Sequence, residues 1–380
     1  MSNPAVQSLQ PVFFVGTPKS GTTFLLSLFD SHPSVISLLE TAAYHLPLRS
    51  VRDRPALIAK LDAFYSNLMS EHTIHAAVTP ADLRARLPSL QEEMPCPHLP
   101  RRVIHLLLSI VLEKMHKETA GQATHFIEKT PRQYDAIDAM FEDFPQAKVV
   151  HVLRDPRDNY LALKRMMDEP GYQGIGYHPT NFIRDRLLAS LEAAYRNVTK
   201  YAGRYRLVFY EDLILGGGPI IREIAAWLHL PWHDLLLVPS YGGELWKGNS
   251  LASDLKDRLK PFDQRPIGRW KRALTDQEID VLEWVIESYS LSGKYPLTRS
   301  STRMRRLWQL ARPFARELRA SGFPDRRLWA KRIVQGLIWN YASRRVWIAR
   351  CLLNRVQDSD SRLTVSAFAS PRISEPASQT

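Results

Sequence analysis

The chain has only two cysteines, Cys96 and Cys351, among its 380 residues, and no apolar run long enough to span a bilayer. Two cysteines without metal-ligand spacing are too few for a disulfide framework or a zinc site, so we expect a reducing cytoplasm and no structural metal. No basic segment precedes an apolar stretch at the N-terminus, so we expect no signal peptide. Hydrophobic residues make up 44% of the chain and charged residues 24%, which is typical of a globular protein.

Positive charge is concentrated near the C-terminus. The formal net charge is +12, and residues 301–355 hold fourteen Lys and Arg against two acidic residues, so the remainder is nearly neutral. A basic field therefore does not cover the N-terminal part, and we expect no nucleic-acid partner. Trp308, Trp329, Trp339 and Trp347 lie among these basic residues. Such helices either pack their aromatic residues on the core or bind an anionic membrane surface or glycan, which for a cytoplasmic protein would be the inner membrane surface.

Short apolar runs alternate with helical patterns from residue 11 to about residue 290. This alternation predicts an α/β fold with a P-loop-like parallel sheet flanked by helices, in which ligands bind at the carboxyl ends of the strands. The predicted strands are 12–15, 124–127, 148–153 and 205–210.

Composition and sequence pattern divide the chain into three parts, the first of which contains an insertion. Residues 1–295 are predicted to form the α/β domain, and residues 41–122 a helical insertion that covers its site. Residues 296–357 form a basic helical extension rich in Trp and Arg, and the Ser- and Pro-rich residues 358–380 are predicted to be disordered.

The most informative segment is residues 11–24, where an apolar strand is followed by Gly-Thr-Pro-Lys-Ser-Gly and then by a helical pattern. A strand, a tight loop and a helix start direct backbone N–H groups and the helix dipole at an anion. A Walker loop places Lys directly after its second Gly, but here Thr22 follows Gly21 and Lys19 lies inside the loop. Lys19 can therefore neutralise an oxyanion or donate to the bridging oxygen of a leaving group.

A second strand end carries Arg154-Asp-Pro-Arg157-Asp158. Both arginines stand where a second phosphate could be held by bidentate hydrogen bonds. The alternative is a cluster of ion pairs at the start of a helix, made by the two arginines with Asp155 and Asp158.

Together the two clusters resemble the sulfotransferase family, whose donor is 3′-phosphoadenosine 5′-phosphosulfate (PAPS). The first cluster resembles the family's 5′-phosphosulfate loop, and the second its 3′-phosphate element. The motif Phe-Tyr-Glu-Asp-Leu at 209–213 is similar to the strand end near the adenine, and residues 265–271 resemble a loop that returns over the nucleotide. The donor-binding residues that this resemblance implies are Pro18, Lys19, Ser20, Gly21, Thr22, Thr23, Phe24, Arg154, Arg157, Tyr210, Gly268, Arg269, Trp270 and Lys271.

One position departs from the family pattern. Ala162 stands where the family places a serine that binds the 3′-phosphate. The loss of one hydroxyl donor to a phosphate costs about 1–3 kcal/mol unless another group replaces it. The candidate replacements are Asn159, Tyr160, Lys164 and Arg165.

Two glutamates are candidates for the base that activates the acceptor. Residues 30–41 are similar to tyrosylprotein sulfotransferases, and the resemblance implies that Glu40 is the catalytic glutamate. Glu128 competes with it, because residues 127–131 resemble the Glu-Lys element of heparan-sulfate-type enzymes; we favour Glu40. Lys129 is predicted to stabilise the transferring sulfonate together with Lys19. Because a sulfuryl group carries one negative charge, less than a phosphoryl group, no metal is expected.

The resemblance therefore implies a PAPS-dependent enzyme that transfers a sulfuryl group to a hydroxyl or amine, and we expect a carbohydrate or glycolipid acceptor. A P-loop kinase or NTPase is an alternative, although it would need Lys after Gly21 and an acidic strand end that binds a metal. A non-catalytic anion-binding protein is a third possibility, which Ala162 favours.

Overall fold

The computed structural model describes residues 3–45, 54–71, 74–92, 98–115, 117–169, 177–246, 248, 261–320 and 338–357. The predicted disordered tail, 358–380, and Trp329 lie outside these residues.

Five parallel strands form the central sheet, in the order β2-β3-β1-β4-β5. The predicted parallel sheet is confirmed, and the four predicted strands correspond to β1, β3, β4 and β5. The sequence patterns missed β2, because its apolar run is only five residues long and is interrupted by Ser37. The strands are β1 (Gln10–Gly16), β2 (Val35–Leu39), β3 (His125–Lys129), β4 (Lys148–Leu153) and β5 (Tyr205–Phe209).

Helices connect and cover these strands. The first eight are α1 (Pro4–Gln7), α2 (Thr22–Phe29), α3 (Arg54–Glu71), α4 (Pro80–Arg86), α5 (Leu99–Lys114), α6 (Lys117–Gln122), α7 (Ile137–Asp143) and α8 (Pro156–Met167). Then follow α9 (Pro179–Phe182), α10 (Leu188–Lys200), α11 (Tyr210–Leu228), α12 (Trp270–Ala273), α13 (Asp276–Ser288), α14 (Arg303–Ala311), α15 (Ala315–Ala320) and α16 (Ile338–Gln357). A short hairpin, β6 (Ser240–Tyr241) and β7 (Glu244–Leu245), lies after α11, which is kinked at Gly217.

The sheet is buried on both faces, as expected for parallel strands that read as continuous apolar runs. Val12 and Phe14 of β1 belong to one core cluster, with residues of α2 and α11. Phe13 and Val15, which point the other way, belong to a second cluster with residues of α5, α7, α10 and α13. The helices therefore form a layer on each side of the sheet.

The C-terminal extension packs on this second cluster. Leu310 of α14 and Ile348 and Leu352 of α16 are buried in it. The extension is also joined to the α/β domain by charge, since the buried Arg306 of α14 pairs with Glu287 of α13. Among the described residues, no helix is both long enough and apolar enough to cross a membrane.

Candidate active site

The loop after β1 leads directly into α2. The N-cap residue of this helix is Gly21, and no side-chain hydrogen bond caps the helix within the described residues. Lys19 and Gly21 both have a left-handed backbone, with φ of 66° and 106°. A Cβ atom on Gly21 would lie 2.4 Å from the ring of Tyr210, so only glycine fits this turn. The first N–H groups of α2 and the positive end of its dipole therefore face the carboxyl ends of the strands, where an anion can bind.

Asn159 of α8 holds the loop in place. Its amide nitrogen donates to the backbone oxygen of Pro18 at 2.8 Å, and its side-chain oxygen accepts from the hydroxyl of Thr17. Ser20 is fully buried, and its hydroxyl has no hydrogen-bond partner within the described part of the chain. Such an orphaned hydroxyl in a preformed turn is consistent with a loop built to receive a ligand.

Glu40 and Lys129 meet at the ends of the adjacent strands β2 and β3. The Lys129 ammonium contacts the Glu40 carboxylate and donates to the hydroxyl of Thr23 at 2.9 Å. Lys129 is fully buried, whereas the side chain of Glu40 is 37% exposed. Because Thr23 lies in the first turn of α2, this chain of contacts connects a solvent-accessible carboxylate to the anion-binding loop.

Burial lowers the pKa of two lysines here. For Lys19 burial is the main cause, Glu40 opposes it, and the neighbouring charges of Lys129 and Arg154 add to it. Burial also lowers the pKa of Lys129, and its ion pair with Glu40 opposes the shift. Three cationic groups around one carboxylate leave the site deficient in negative charge, which favours an anionic ligand.

Glu128 lies on the opposite face of β3 from Lys129, because successive residues of a strand alternate. It is fully buried, and one carboxylate oxygen accepts from the backbone N–H of Thr41 at 3.2 Å and from the hydroxyls of Thr41 and Thr130 at 2.8 and 2.6 Å. Burial raises the pKa of Glu128 to about 7. The structure therefore brings Glu40, and not Glu128, to the accessible side of the loop.

Arg154 follows β4 and reaches across to the loop. Its guanidinium donates to the backbone oxygens of Lys19 at 2.9 Å and Pro266 at 3.1 Å and stacks 4.5 Å from the ring centre of Tyr210. Its Nε is buried and has no hydrogen-bond partner in the described residues. Arg154 thus joins the first loop to the segment around Pro266, and its Nε is left for another acceptor.

Arg157 differs from the expectation that it grips a phosphate. It is 2% exposed, and its guanidinium donates to Asp155, to Glu283 at 2.7 Å and to the backbone oxygen of Pro296 at 3.0 Å. It also stacks 3.9 Å from the ring centre of Trp270. Its donors are used inside the fold, so the ion-pair alternative describes Arg157.

Two of the side chains that could replace a serine hydroxyl at position 162 donate hydrogen bonds to another residue. The hydroxyl of Tyr160 and the ammonium of Lys164 both donate to Glu278, at 3.0 and 2.6 Å. Because Asn159 holds the first loop, it is also engaged. All three side chains are therefore already used in contacts within the fold.

Asp158 positions the returning loop, 265–271. Its carboxylate accepts from the backbone N–H groups of Gly268 at 2.6 Å and Trp270 at 3.0 Å. Trp270 is buried, Arg269 is half-buried and Lys271 is exposed. The loop is therefore fastened to the start of α8, beside Arg154.

An apolar pocket of about 160 Å³ opens beside the start of α2. Phe24 packs against Trp246 and Phe262, with ring centres 6.0 and 5.8 Å apart. Tyr210 and Leu245 also line the pocket. Sequence reasoning missed Trp246 and Phe262, because they lie in irregular segments without a periodic or motif signal.

The profile of the sulfotransferase family matches residues 11–234, which is more than half of the chain. The chain belongs to the sulfotransferase family. The match contains the loop, Glu40, Lys129 and the Arg154 cluster, so the family region includes the cationic site described above.

Two curated relatives of this sulfotransferase-family chain are distant. Protein-tyrosine sulfotransferase 1 of Danio rerio is 23% identical over 266 residues, which are 68% of this chain and 65% of the relative. The protein-tyrosine sulfotransferase of Drosophila melanogaster is 22% identical over 265 residues, 68% of this chain and 46% of the relative. The chain thus spans between about half and two thirds of their lengths.

Among solved structures, the sulfotransferase domain of the Synechococcus PCC 7002 olefin synthase is similar with a TM-score of 0.42 and 19% identity. The match covers 71% of this sulfotransferase-family chain and 90% of that domain. Within the described part of this chain, no group of three His, Cys, Asp or Glu side chains could hold a metal ion, and metal independence stays a prediction.

Proposed function

We propose that the protein transfers a sulfuryl group from PAPS to a hydroxyl or amine acceptor. The observation that carries this proposal is the contact of Glu40 with Lys129 and of Lys129 with Thr23, at the uncapped start of α2. A carboxylate, a buried ammonium and an anion-binding helix start are groups that sulfuryl transfer to an acceptor hydroxyl or amine needs.

The donor's parts fit separate features of the site. The start of α2 with Lys19 and the orphaned Ser20 hydroxyl suits the phosphosulfate, and the aromatic pocket at Phe24 suits the adenine. The unused Nε of Arg154 is a donor for the 3′-phosphate. We expect that this phosphate is held less fully than in family members with a serine at position 162. When bound, PAPS supplies the sulfuryl group that passes to the acceptor.

Each residue then has a defined task. The N–H groups and hydroxyls of Thr22 and Thr23 hold the 5′-phosphate, and Lys19 donates to the oxygen that bridges phosphate and sulfate. Lys129 neutralises the sulfonate oxygens and orients Glu40. Glu40 takes the proton from the attacking hydroxyl or amine, so the acceptor approaches from the exposed side of this carboxylate.

For the acceptor we propose a carbohydrate or glycolipid. Glu40 is accessible to solvent, so a hydroxyl on a large molecule can reach it. The two curated relatives are named protein-tyrosine sulfotransferases, so a tyrosine-containing peptide is the second acceptor class to test.

We also propose that α14 and α16 contact an anionic membrane surface. Met304 and Trp308 of α14 are 76% and 63% exposed, and Trp347 of α16 is 45% exposed, although both helices already bury a different apolar face. Exposed arginines, such as Arg303 and Arg350, flank these side chains. Tryptophan beside arginine on a helix suits the interface of an anionic bilayer, and a membrane location favours a glycolipid acceptor.

The function is tested with radiolabelled PAPS and a panel of glycans, glycolipids and tyrosine peptides. Lys19→Ala and Glu40→Gln are each expected to lower turnover by about 10²–10³-fold, because each removes a group that acts on the reacting atoms. Lys60→Ala is the matched control, since Lys60 is exposed on α3. Normal turnover in Lys19→Ala, or magnesium-dependent ATP hydrolysis without sulfuryl transfer, would contradict the proposal.

A further inference from the structure

The segment after β2, residues 40–43, has an unusual backbone. Glu40 and Ala42 have left-handed conformations, with φ of 50° and 51°, although neither is glycine. For a residue with a Cβ atom this conformation is less favourable than the ordinary helical or extended one. The surrounding structure must therefore hold this turn, and with it the direction of the Glu40 side chain.

Four consecutive N–H groups of the turn have partners, and the first three partners belong to the end of β3. The N–H of Glu40 donates to the backbone oxygen of Lys129 at 2.6 Å, and the N–H of Ala42 to the hydroxyl of Thr130 at 3.1 Å. The N–H of Thr41 donates to Glu128, and the N–H of Ala43 to the hydroxyl of Thr41.

Glu128 is the centre of this network. One of its oxygens accepts from the N–H and hydroxyl of Thr41 and from the hydroxyl of Thr130, which are the two side chains that hold Ala42 and Ala43. The hydroxyl of Tyr65 on α3 adds a bond to the backbone oxygen of Thr41 at 3.0 Å. A single buried carboxylate thus connects the two threonine hydroxyls that hold the turn.

We propose that Glu128 is a positioning residue: it holds the left-handed turn 40–43 and thereby fixes the Glu40 carboxylate against Lys129. This inference rests on the proposed role of Glu40. Glu128 itself has no path to the acceptor, because it is fully buried on the far face of β3. The second carboxylate oxygen of Glu128 has no hydrogen-bond partner in the described residues, and burial raises the pKa of Glu128 to about 7. A protonated carboxyl or an amide can therefore take the place of the carboxylate.

The decisive comparison is between Glu128→Gln and Glu128→Ala. The glutamine oxygen can accept the same three hydrogen bonds, so Glu128→Gln is expected to keep kcat within about threefold of the parent protein. Glu128→Ala removes them, and a misplaced base is expected to lower kcat by about 10²-fold with little change in the KM for PAPS. A residue that acts as a base would lose activity equally in both variants.

Hydrogen exchange followed by mass spectrometry provides a readout that needs no activity. In Glu128→Ala, peptides covering residues 40–43 should exchange faster, while those covering β1 and β4 keep the exchange of the parent protein. Thr130→Val removes the hydroxyl that accepts from the Ala42 N–H, so it should give the same faster exchange at residues 40–43. This variant replaces Glu128→Ala in the experiment if Glu128→Ala does not fold.

Three results would overturn the inference. They are equal loss of kcat in Glu128→Gln and Glu128→Ala, unchanged exchange at 40–43 in both Glu128→Ala and Thr130→Val, and full activity in Glu128→Ala despite faster exchange. If the parent protein transfers sulfuryl groups to no acceptor, the proposed function fails, and the exchange experiment still decides whether Glu128 holds the turn.

Discussion

At the scale of single residues, the candidate site depends on backbone conformations that side chains must enforce. Lys19 and Glu40 are both left-handed and carry the charges that the proposed chemistry uses. Non-glycine residues with this backbone are uncommon and concentrate at functional sites. The two proposed catalytic side chains therefore lie where local strain is offset by specific hydrogen bonds.

The buried Glu128 predicts a particular dependence of stability on pH. Its pKa is about 7 in the folded protein and 4.5 for an ordinary glutamate. Between these values the folded state keeps a proton that the unfolded chain releases, so the free energy of unfolding falls as the pH rises and levels off above about 7. The largest slope from one such group is about 1.4 kcal/mol per pH unit.

Urea unfolding of the parent protein and of Glu128→Gln, at pH values from about 5 to 8, measures this effect. The difference in the free energy of unfolding between the two should change by about 1–3 kcal/mol over this interval, in the direction of relatively lower stability of the parent at high pH. Parallel pH profiles would show that Glu128 is ionised in the folded protein throughout.

At the scale of secondary-structure elements, strand alternation and helix starts decide which charges reach the site. Glu128 and Lys129 are adjacent in sequence, yet β3 directs them to opposite faces of the sheet. The start of α8 similarly separates its charges: Arg157 is used inside the fold, and Asp158 fastens the returning loop 265–271.

The Asp158 contact predicts that the returning loop contributes to donor binding. Asp158→Ala leaves the N–H groups of Gly268 and Trp270 without their acceptor, so the loop should lose the position over the nucleotide that the family resemblance implies. We expect the Kd for 3′,5′-adenosine bisphosphate, measured by calorimetry, to rise about tenfold, which corresponds to about 1.4 kcal/mol.

Two comparisons make this prediction specific. Asp158→Asn, which keeps one acceptor oxygen, should have an intermediate Kd. Asp276→Ala removes an exposed carboxylate of α13 that pairs with Arg299, and this variant should bind like the parent protein. Unchanged affinity in Asp158→Ala would mean that the loop does not bind the donor.

At the scale of the whole molecule, the C-terminal extension shares the core of the α/β fold. Its buried leucines and isoleucine pack in the same core cluster as residues of the sheet, and its buried Arg306 pairs with Glu287 of α13. The exposed tryptophans of α14 and α16 therefore keep a fixed place on the surface of the protein.

The proposed membrane contact predicts flotation with anionic vesicles. Phosphatidylcholine vesicles that contain phosphatidylserine should carry the parent protein upward in a density gradient, and pure phosphatidylcholine vesicles should carry much less, because the flanking arginines need negative charge. The double variant Trp308→Ala and Trp347→Ala should lose most of this flotation.

Trp232→Ala is the control, because Trp232 is half-exposed in a different part of the chain and stacks with Arg222. Equal flotation of the double variant and the parent, or no flotation of the parent, would exclude this surface as a membrane contact.

The amino-acid sequence alone determined the features that are local in the chain. Residues 11–24 specify the strand, the loop and the helix start, because glycine, proline and apolar periodicity act over a few neighbours. Four strands and the parallel arrangement were predictable for the same reason. The motif spacing around Lys19 and Arg154 also indicated the family.

Only the tertiary structure decided which side chains meet. Strand β2 and its neighbour β3 bring Glu40 to Lys129 across 89 positions of sequence, and the face of β3 separates Lys129 from Glu128. The pairing of Arg157 with Glu283 depends on how α13 packs beside α8, which no local pattern encodes. Contacts between distant segments follow from the packing of the whole core. For this reason only the folded chain shows which of Glu40 and Glu128 is accessible, and only there does the aromatic pocket at Phe24 appear.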